Sequence, residues 1–313
     1  MKLSLVVPCF NEENNVEKFL QEVKNTFKND IDYEIVFVND GSTDNTHKVL
    51  KQLSEENKNV QVVTFSRNFG KEAAMYAGLL ESFGEMVCVI DADLQQHPQV
   101  VLEMMEILDN NSDIDCVTAY QKKRREGVLM SGIKSVFYKL INAISDVNFV
   151  NGASDFRLMR RTMVEAVLSI TEYHRFSKGI FGWVGFNTYY IPYEAKKREN
   201  GKSKWNVKKL TKYAVEGIMS FSTKPLRFAS YVGFVSSLIS VIYMFIVVIQ
   251  KIFLGIDVPG YATIVGLVLL LGGLQLFCLG VLGEYLAKMY IQVKNRPVYI
   301  VKEHIKSDEN ENQ

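Results

Sequence analysis

The stretch Val87-Cys88-Val89-Ile90-Asp91-Ala92-Asp93-Leu94-Gln95 decides the fold of this chain. Its apolar, mostly β-branched beginning is typical of a buried strand, and two carboxylates one residue apart follow where that strand ends. Side chains two apart in an extended segment point the same way, so we expect Asp91 and Asp93 to present their oxygens to one hard cation, Mg²⁺ or Mn²⁺. The alternative is an acidic turn that only closes a strand, and Asp-x-Asp by itself does not decide between the two.

Three similar units of strand, polar loop and helix precede this stretch. Strands are predicted over residues 3–8, 34–38 and 60–65, and helices are predicted to end near Phe27, Leu53 and Phe83. Four such units before residue 100 predict an α/β fold in which a mostly parallel, Rossmann-like sheet has helices on both faces.

Four polar loops are expected at one edge of that sheet, where α/β proteins bind their ligands. They are residues 8–12, 39–44, 66–71 and 91–95, and each alone is also ordinary turn chemistry. Neither a Gly-x-Gly-x-x-Gly nor a P-loop sequence follows a strand, so any phosphates must be held mainly by a metal and by side chains.

Composition limits the class of partner and the compartment. A formal net charge of +1 gives no general reason to expect nucleic acid as a partner. The four cysteines are scattered without metal-ligand spacing, which favours reduced thiols. The apolar run at residues 3–7 is too short for a signal peptide, so we expect this domain in the cytosol.

Four motifs of the chain belong together. They are Val7-Pro8-Cys9-Phe10-Asn11-Glu12-Glu13, Val38-Asn39-Asp40-Gly41-Ser42, Asp91-Ala92-Asp93-Leu94-Gln95-Gln96-His97-Pro98 and Gly152-Ala153-Ser154-Asp155-Phe156-Arg157. In combination they resemble glycosyltransferase family 2. The resemblance extends from residue 3 to about residue 300 and is closest to the branch that makes polyprenyl-phosphate sugars, namely dolichol-phosphate mannose synthase and bacterial bactoprenol glucosyltransferases.

This resemblance implies a GT-A-type fold and an inverting, metal-dependent hexose transfer. The expected donor is a nucleotide diphosphate sugar, by analogy UDP-glucose or a related UDP-sugar, and the expected acceptor is undecaprenyl or another polyprenyl phosphate of the cell envelope. The implied cofactor is Mg²⁺ or Mn²⁺ at Asp91 and Asp93. The implied nucleotide-binding residues are Pro8, Glu12, Asp40 and Asp91, and the implied catalytic residues are Asp93 and Asp155.

Asp155 and His174 each keep an alternative. Asp155 is implied at the reaction centre, near the sugar and the acceptor phosphate, whereas an Asp at such a place is also a common helix N-cap. Residues 172–176 read Glu-Tyr-His-Arg-Phe where polysaccharide-polymerising relatives carry Gln-x-x-Arg-Trp, which argues against a processive synthase. His174 is either a base or, more commonly, a packed or surface histidine.

Two basic segments are expected to hold the acceptor phosphate. Residues 198–205 resemble the family's Arg-x-x-Gly-x-Ser-Lys segment, and the run at 122–127 departs from the family pattern at Val128. The implied acceptor-binding residues are Arg125, Arg198, Ser203 and Lys204. Solvated charge runs, or attraction to anionic lipid, are the alternatives.

The C-terminal third predicts membrane attachment. Residues 228–250 and 258–283 contain no charge and exceed the roughly 20 residues that span a bilayer, which favours two transmembrane helices over buried core helices. Basic residues flank both spans on the outer ends of the pair, so we expect both termini in the cytosol and multi-pass localisation in the cytoplasmic membrane. Residues 1–205 form the predicted catalytic domain, 206–227 an interfacial amphipathic helix, and 284–313 a strand at 296–301 followed by a disordered tail.

Two other functions stay open at this point. One is a glycan-extending membrane glycosyltransferase, and the other is a membrane protein that binds a nucleotide sugar without turnover. A homo-oligomer is compatible with any of them.

Overall fold

The computed structural model describes residues 1–28, 31–121, 153–194, 219, 222–254 and 260–306. The chain divides into two compact units, Met1–Ala214 with Arg296–Gln313, and Val215–Asn295. Both predicted basic segments, most of the predicted interfacial helix and the predicted disordered tail lie outside the described residues.

The first unit alternates strands and helices and then closes with the C-terminal strand. Its strands are β1 (Leu3–Cys9), β2 (Tyr33–Asn39), β3 (Val60–Phe65), β4 (Met86–Val89), β5 (Cys116–Gln121), β6 (Ala153–Arg160), β7 (Thr188–Tyr193) and β8 (Val301–Ile305). Its helices are α1 (Val16–Phe27), α2 (Thr46–Glu56), α3 (Lys71–Leu80), α4 (Pro98–Asn110), α5 (Arg161–Ser169) and α6 (Ser177–Trp183).

The strands form one mixed sheet in the order β7-β5-β6-β4-β1-β2-β3-β8. Its centre, β4-β1-β2-β3, is parallel, as the repeated strand-helix units predicted. Strand β6 runs antiparallel to both β4 and β5, and β8 runs antiparallel to β3. The predicted fold class, an α/β domain with a mostly parallel sheet, is confirmed.

Helices cover both faces of the central strands, and these strands are therefore buried on both sides. On one face Phe19 of α1 meets Phe37 of β2 edge to face at 6.0 Å, within the larger core. On the other face the alanine-rich α3 packs closely: a Cβ added to Gly78 would lie 2.2 Å from Val6 Cγ1. The close packing of α3 fixes the start of this helix near the carboxyl edge of the sheet.

The segment after β4 differs from its prediction. The strand ends at Val89, and Ala92 and Asp93 lie in a turn that continues into Leu94, whose φ is 57°. The expectation of an extended chain through Asp93 is therefore wrong, and the expectation that Asp91 and Asp93 face one cation stays a prediction. The chain must reverse direction to enter α4, and Pro98 at the first turn of that helix sets where the reversal ends.

The returning C-terminal strand also lies further along the chain than the predicted 296–301. Strand β8 covers Val301–Ile305, and the residues before it pack instead of pairing: Tyr299 stacks on Phe65 with ring centres 4.7 Å apart. Pro297 has no N–H for a sheet ladder, which explains why the strand starts later. Just before β8, Ser66 N donates a backbone hydrogen bond to Ile300 O at 2.9 Å.

The second unit consists of two long apolar helices, α7 (Lys224–Leu254) and α8 (Tyr261–Val293). The most apolar 18-residue stretches within Lys224–Gln250 and Thr263–Val293 have mean hydropathies of 2.6 and 2.4, and none of either stretch is buried in the protein. By length and composition both are candidate membrane spans, which agrees with the two spans predicted. Helix α8 runs ten residues beyond the predicted end at 283, through Glu284 and Lys288.

Candidate active site

The loops after β1 and β2 are joined by hydrogen bonds into one surface at the carboxyl edge of the sheet. Asn11 N donates to Ser42 Oγ at 3.0 Å, and Asn11 Oδ1 accepts from Thr43 N at 2.9 Å. Glu13 Oε2 accepts from Asn45 N at 2.9 Å. Asn11 has φ 57°, a left-handed conformation that Asn adopts more readily than most residues. These contacts give the first two predicted ligand loops a common, defined shape.

Asp40, at the end of β2, holds the loop after β3. Its Oδ1 accepts from Phe69 N at 2.6 Å and its Oδ2 from Gly70 N at 2.9 Å. Burial raises the pKa of Asp40, and the two amide donors partly oppose that rise. Next to it, Gly41 has φ 63°, and a Cβ there would lie 2.3 Å from the carbonyl carbon of Arg67, so this loop contact needs glycine. The structure thus gives both Asp40 oxygens a protein partner, and the predicted nucleotide contact of Asp40 stays a prediction.

Lys71, the first residue of α3, bridges two carboxylates from different strands. Its Nζ lies 2.6 Å from Asp91 Oδ1 and 3.3 Å from Asp155 Oδ2. Desolvation of the ammonium group alone would lower the pKa of Lys71, but Asp91 and Asp155 outweigh this effect and raise that pKa. The ammonium group is therefore charged at neutral pH. The site that the carboxylates form selects for a cation.

The strand register explains why Asp155 meets Asp91. Strand β6 runs antiparallel to β4 with Arg157 opposite Val89, so continuing that register sets Asp155 level with Asp91. Because Asp155 lies within β6, the helix N-cap interpretation is excluded. Its Oδ1 is buried and has no hydrogen-bond partner in the described part of the chain. Burial would raise the pKa of Asp155, but Lys71, Lys178 and Arg157 lower it overall, so this side chain is an anion at neutral pH.

Asp91 and Asp93 have different surroundings. Gln96, itself buried, fixes Asp91 by accepting from Asp91 N at 3.0 Å and donating to Asp91 Oδ2 at 3.2 Å. Asp93 Oδ1 accepts from Gln95 N at 3.1 Å inside the turn. The structure brings Asp91 together with Asp155 on one ammonium group, whereas the joint coordination of a metal by Asp91 and Asp93 stays a prediction.

The carboxylate oxygens of this site suit a metal ion that binds together with a substrate phosphate. Among the described residues, no three His, Cys, Asp or Glu side chains form a ready-made metal site. Mg²⁺ is usually held by one or two carboxylates together with substrate phosphates, and Mn²⁺ prefers the same oxygen ligands. Two carboxylates converge on one cation, and one buried oxygen of Asp155 has no partner among the residues that the structure describes, so these side chains fit such an ion.

The remaining predicted nucleotide residues lie at the same edge. Pro8 pairs with Val38 near the end of β1. Glu12 Oε2 accepts from Asn15 Nδ2 at 2.5 Å, and Glu12 N donates to Thr46 Oγ1 at 2.8 Å. Pro8 and Glu12 are therefore close to the joined loops after β1 and β2. Their contacts do not test nucleotide binding. The predicted acceptor residues Arg125, Arg198, Ser203 and Lys204 lie outside the described residues.

His174 lines a cleft of about 300 Å³ beside the loop after β3. Arg67 and Arg175 line the same cleft, and the His174 ring meets Tyr173 edge to face at 5.2 Å. These contacts do not pair His174 with a group that would orient it as a base, so its role stays open. The cleft borders Glu72, whose carboxylate accepts from Ser177 N at 2.8 Å.

The main residue that sequence reasoning missed is Lys71. The residue was visible as the end of the polar loop at 66–71, but no motif marked it as a site residue. Its partners come from β4 and β6, so its role depends on a strand pairing that the sequence did not reveal. A lysine in the first turn of a helix, where the helix dipole disfavours a cation, was the one available signal.

Models of known families match both units of the chain. Residues 4–168 match the model described as "Glycosyl transferase family 2". Residues 224–289 match the model described as "GtrB C-terminal hairpin". The second match covers most of α7 and α8.

Two curated relatives are similar over almost the whole chain. A Bacillus subtilis (strain 168) protein named "Putative glycosyltransferase CsbB" is 42% identical over 302 residues, covering 96% of this chain and 91% of that protein. A Shigella flexneri protein named "SfII prophage-derived bactoprenol glucosyl transferase" is 41% identical over 304 residues, covering 96% of this chain and 98% of that protein.

Solved structures of more distant proteins also match. Glucosyl-3-phosphoglycerate synthase from Mycobacterium tuberculosis, in complex with Mn²⁺, UDP-glucose and phosphoglyceric acid, is 20% identical with a TM-score of 0.46, covering 70% of this chain and 77% of that one. The mannosyltransferase PcManGT from Pyrobaculum calidifontis, with GDP-Man and Mn²⁺, is 16% identical with a TM-score of 0.46, covering 64% and 58%.

Proposed function

This chain belongs to glycosyl transferase family 2, and from that premise we propose that it transfers glucose from UDP-glucose to a polyprenyl phosphate, with inversion, at the cytosolic face of the membrane. Its similarity to a bactoprenol glucosyl transferase over 96% of this chain and 98% of that protein supports the donor sugar and the acceptor class. The match of α7 and α8 to the family hairpin supports membrane attachment. The catalytic unit and both termini are proposed to be cytosolic.

The observation that carries the reaction type is the convergence of Asp91 and Asp155 on one cation. Breaking the bond between glucose and a nucleotide diphosphate develops negative charge on the departing phosphates, and that charge is the main electrostatic problem of the reaction. A Mg²⁺ or Mn²⁺ ion, held by Asp91 with Asp93, would supply Lewis-acid stabilisation of this charge. Asp91 is already oriented for such a role by the buried Gln96.

Asp155 is proposed to orient the acceptor instead of removing a proton from it. A polyprenyl phosphate is already an anion near neutral pH, so it needs little help from a general base. Asp155 is also an anion, and a direct contact between it and phosphate would be repulsive. The cations around Asp155, namely Lys71, Lys178 and Arg157, offset that repulsion and allow both groups in one site. The acceptor phosphate itself is proposed to bind Arg125, Arg198, Ser203 and Lys204.

The test is a transfer assay with the full-length protein purified in detergent. Radiolabelled UDP-glucose, other UDP-sugars and GDP-mannose are each incubated with undecaprenyl phosphate and Mg²⁺ or Mn²⁺, and the lipid phase is extracted. We expect label in the lipid from UDP-glucose, loss of transfer with a chelator, and a fold-preserving loss of metal-dependent transfer in Asp93→Asn. The product should be the β-anomer, as inversion of the α-linked donor requires.

Three results would contradict the proposal. Label in a polymer that does not extract with lipid would indicate a glycan-extending enzyme. Tight nucleotide-sugar binding with no transfer to any acceptor would indicate a binding protein. Full transfer by Asp93→Asn at limiting metal would contradict the proposed metal site at Asp91 and Asp93.

A further inference from the structure

Lys71 occupies a helix position that is electrostatically unfavourable for a cation. It is the first residue of α3, and the partial positive charge of a helix N-terminus opposes a cation there. Asp91 and Asp155 compensate, with oxygens 2.6 and 3.3 Å from Nζ. A lysine at this position therefore depends on the two carboxylates, and these are the side chains proposed to work with the metal and the acceptor.

The backbone that carries Lys71 is held firmly, while its side chain can move. The carboxylate of Asp40 binds both amides just before it, Phe69 N and Gly70 N. Phe69 also packs edge to face on Phe65, with ring centres 5.8 Å apart. From this fixed origin, a flexible four-carbon stem carries the ammonium group, and the Lys71 side chain is 42% exposed. A partly exposed lysine side chain has room to turn its ammonium group toward a new partner without a change in the fold.

We propose that Lys71 competes with the divalent ion for Asp91 and Asp155, and that the nucleotide diphosphate resolves this competition by taking the ammonium group as its own counter-ion. The inference rests on the proposed function, because it needs a metal and a diphosphate at this edge of the sheet. It assigns Lys71 to the binding of the leaving group and makes metal binding depend on the nucleotide.

The charges at the site require this displacement. The Lys71 ammonium group bridges both carboxylates, and Asp155 Oδ1 stays buried with no partner in the described residues, so this oxygen can still attract a divalent ion. An ion on Asp91 would lie within a few ångströms of Nζ, where a divalent and a monovalent cation repel each other strongly at the edge of a protein. The diphosphate brings several negative charges, so it can accept both cations at once.

The alternative is that Lys71 is only a structural ion pair that anchors the start of α3. The two interpretations predict opposite signs for metal affinity. If Lys71 competes with the ion, its removal frees two carboxylates and metal binding without nucleotide becomes tighter. If Lys71 only supports the helix, its removal loosens the site and metal binding is unchanged or weaker.

The experiment measures Mn²⁺ binding to the purified full-length protein by electron paramagnetic resonance of free Mn²⁺, without and with UDP. The variant is Lys71→Met, and the matched control is Lys178→Met, which removes the same charge from a second lysine whose charge acts on Asp155. Without UDP, we expect Lys71→Met to bind Mn²⁺ about tenfold tighter than wild type, and Lys178→Met to stay within about threefold. We also expect Lys71→Met to bind UDP about tenfold more weakly in the presence of Mn²⁺.

Unchanged or weaker Mn²⁺ binding by Lys71→Met without UDP overturns the inference, and so does an equal gain in Lys178→Met. Circular dichroism checks folding, and Lys71→Gln replaces Lys71→Met if the latter is misfolded. If the wild type makes glucosylated lipid while Lys71→Met binds Mn²⁺ like wild type, the inference about Lys71 is refuted and the proposed function stands. The proposed function fails alone if Lys71→Met gains Mn²⁺ affinity and loses UDP affinity as expected, yet wild type transfers no sugar to polyprenyl phosphate.

Discussion

Replacing Asp40 by Asn should destabilise the protein before any nucleotide is added. Asp40 is 3% exposed and accepts hydrogen bonds from Phe69 N and Gly70 N, one on each oxygen. Asparagine keeps the shape but has only one acceptor oxygen, so its amide group would face one backbone N–H with another donor. A hydrogen bond to a charged group contributes about 1.5–3 kcal/mol, and a buried donor left unsatisfied costs about 1–3 kcal/mol.

Part of this loss is offset, because burial raises the pKa of Asp40 and removing the charge also removes a desolvation cost. We therefore expect a net loss of about 2 kcal/mol in the free energy of unfolding. For a unit of this size, that corresponds to a fall in Tm of about 4–8 °C.

The assay is thermal unfolding of the ligand-free protein in detergent, followed by intrinsic fluorescence at a single scan rate. Asp93→Asn is the matched control, because it removes the same charge at the same sheet edge from a carboxylate that is not buried. Its Tm should stay within about 2 °C of wild type, since surface changes usually alter stability by less than about 0.5 kcal/mol. If Asp40→Asn leaves the ligand-free Tm unchanged and only weakens UDP binding, the loop-anchoring role assigned to Asp40 is wrong.

Three further outcomes are expected. On intact cells, in a background without native cysteines, an impermeant thiol reagent should label a cysteine at Gly255 but not one at Asn310; the reverse pattern would invert the proposed topology. Arg198→Ala should raise the KM for the lipid phosphate, or lower turnover, by about ten- to a hundredfold with little change in UDP affinity; equal weakening of UDP would remove Arg198 from the acceptor site. The net pKa of Asp155 is lowered, because its cations outweigh burial, so this carboxylate stabilises the fold above its unfolded pKa and the stabilisation is lost as pH falls through its folded pKa. The Tm of Asp155→Asn should therefore fall less than that of wild type below about pH 4, and parallel curves would contradict this.

The periodic part of the fold could be predicted from the sequence. Apolar runs bounded by polar loops fix strands that are buried on both faces, and the predicted 60–65 coincides with β3. The two uncharged stretches identify α7 and α8 because length and hydropathy decide such helices locally. The parallel centre of the sheet follows because each strand is succeeded by a helix.

What could not be predicted depends on pairings between distant segments. Strand β6 carries Asp155 beside Asp91 only because it runs antiparallel to β4, and nothing local in residues 153–160 indicates its direction. The turn at Asp93 results from the reversal into α4, whereas the alternation rule assumed an extended chain. Asp40 matches a family motif, but its two backbone partners come from a loop 29 and 30 residues later.

These placements divide the acidic residues of the sheet edge by task. Asp40 is buried and uses both oxygens to shape the loop that ends at Lys71. Asp91 and Asp155 share the ammonium group of Lys71, and one oxygen of Asp155 has no partner in the described residues. A site built in this way should hold a divalent ion weakly by itself and firmly when phosphates complete its coordination. The dependence of Mn²⁺ affinity on UDP is thus the property in which the loop anchor, the lysine and the two carboxylates can be measured together.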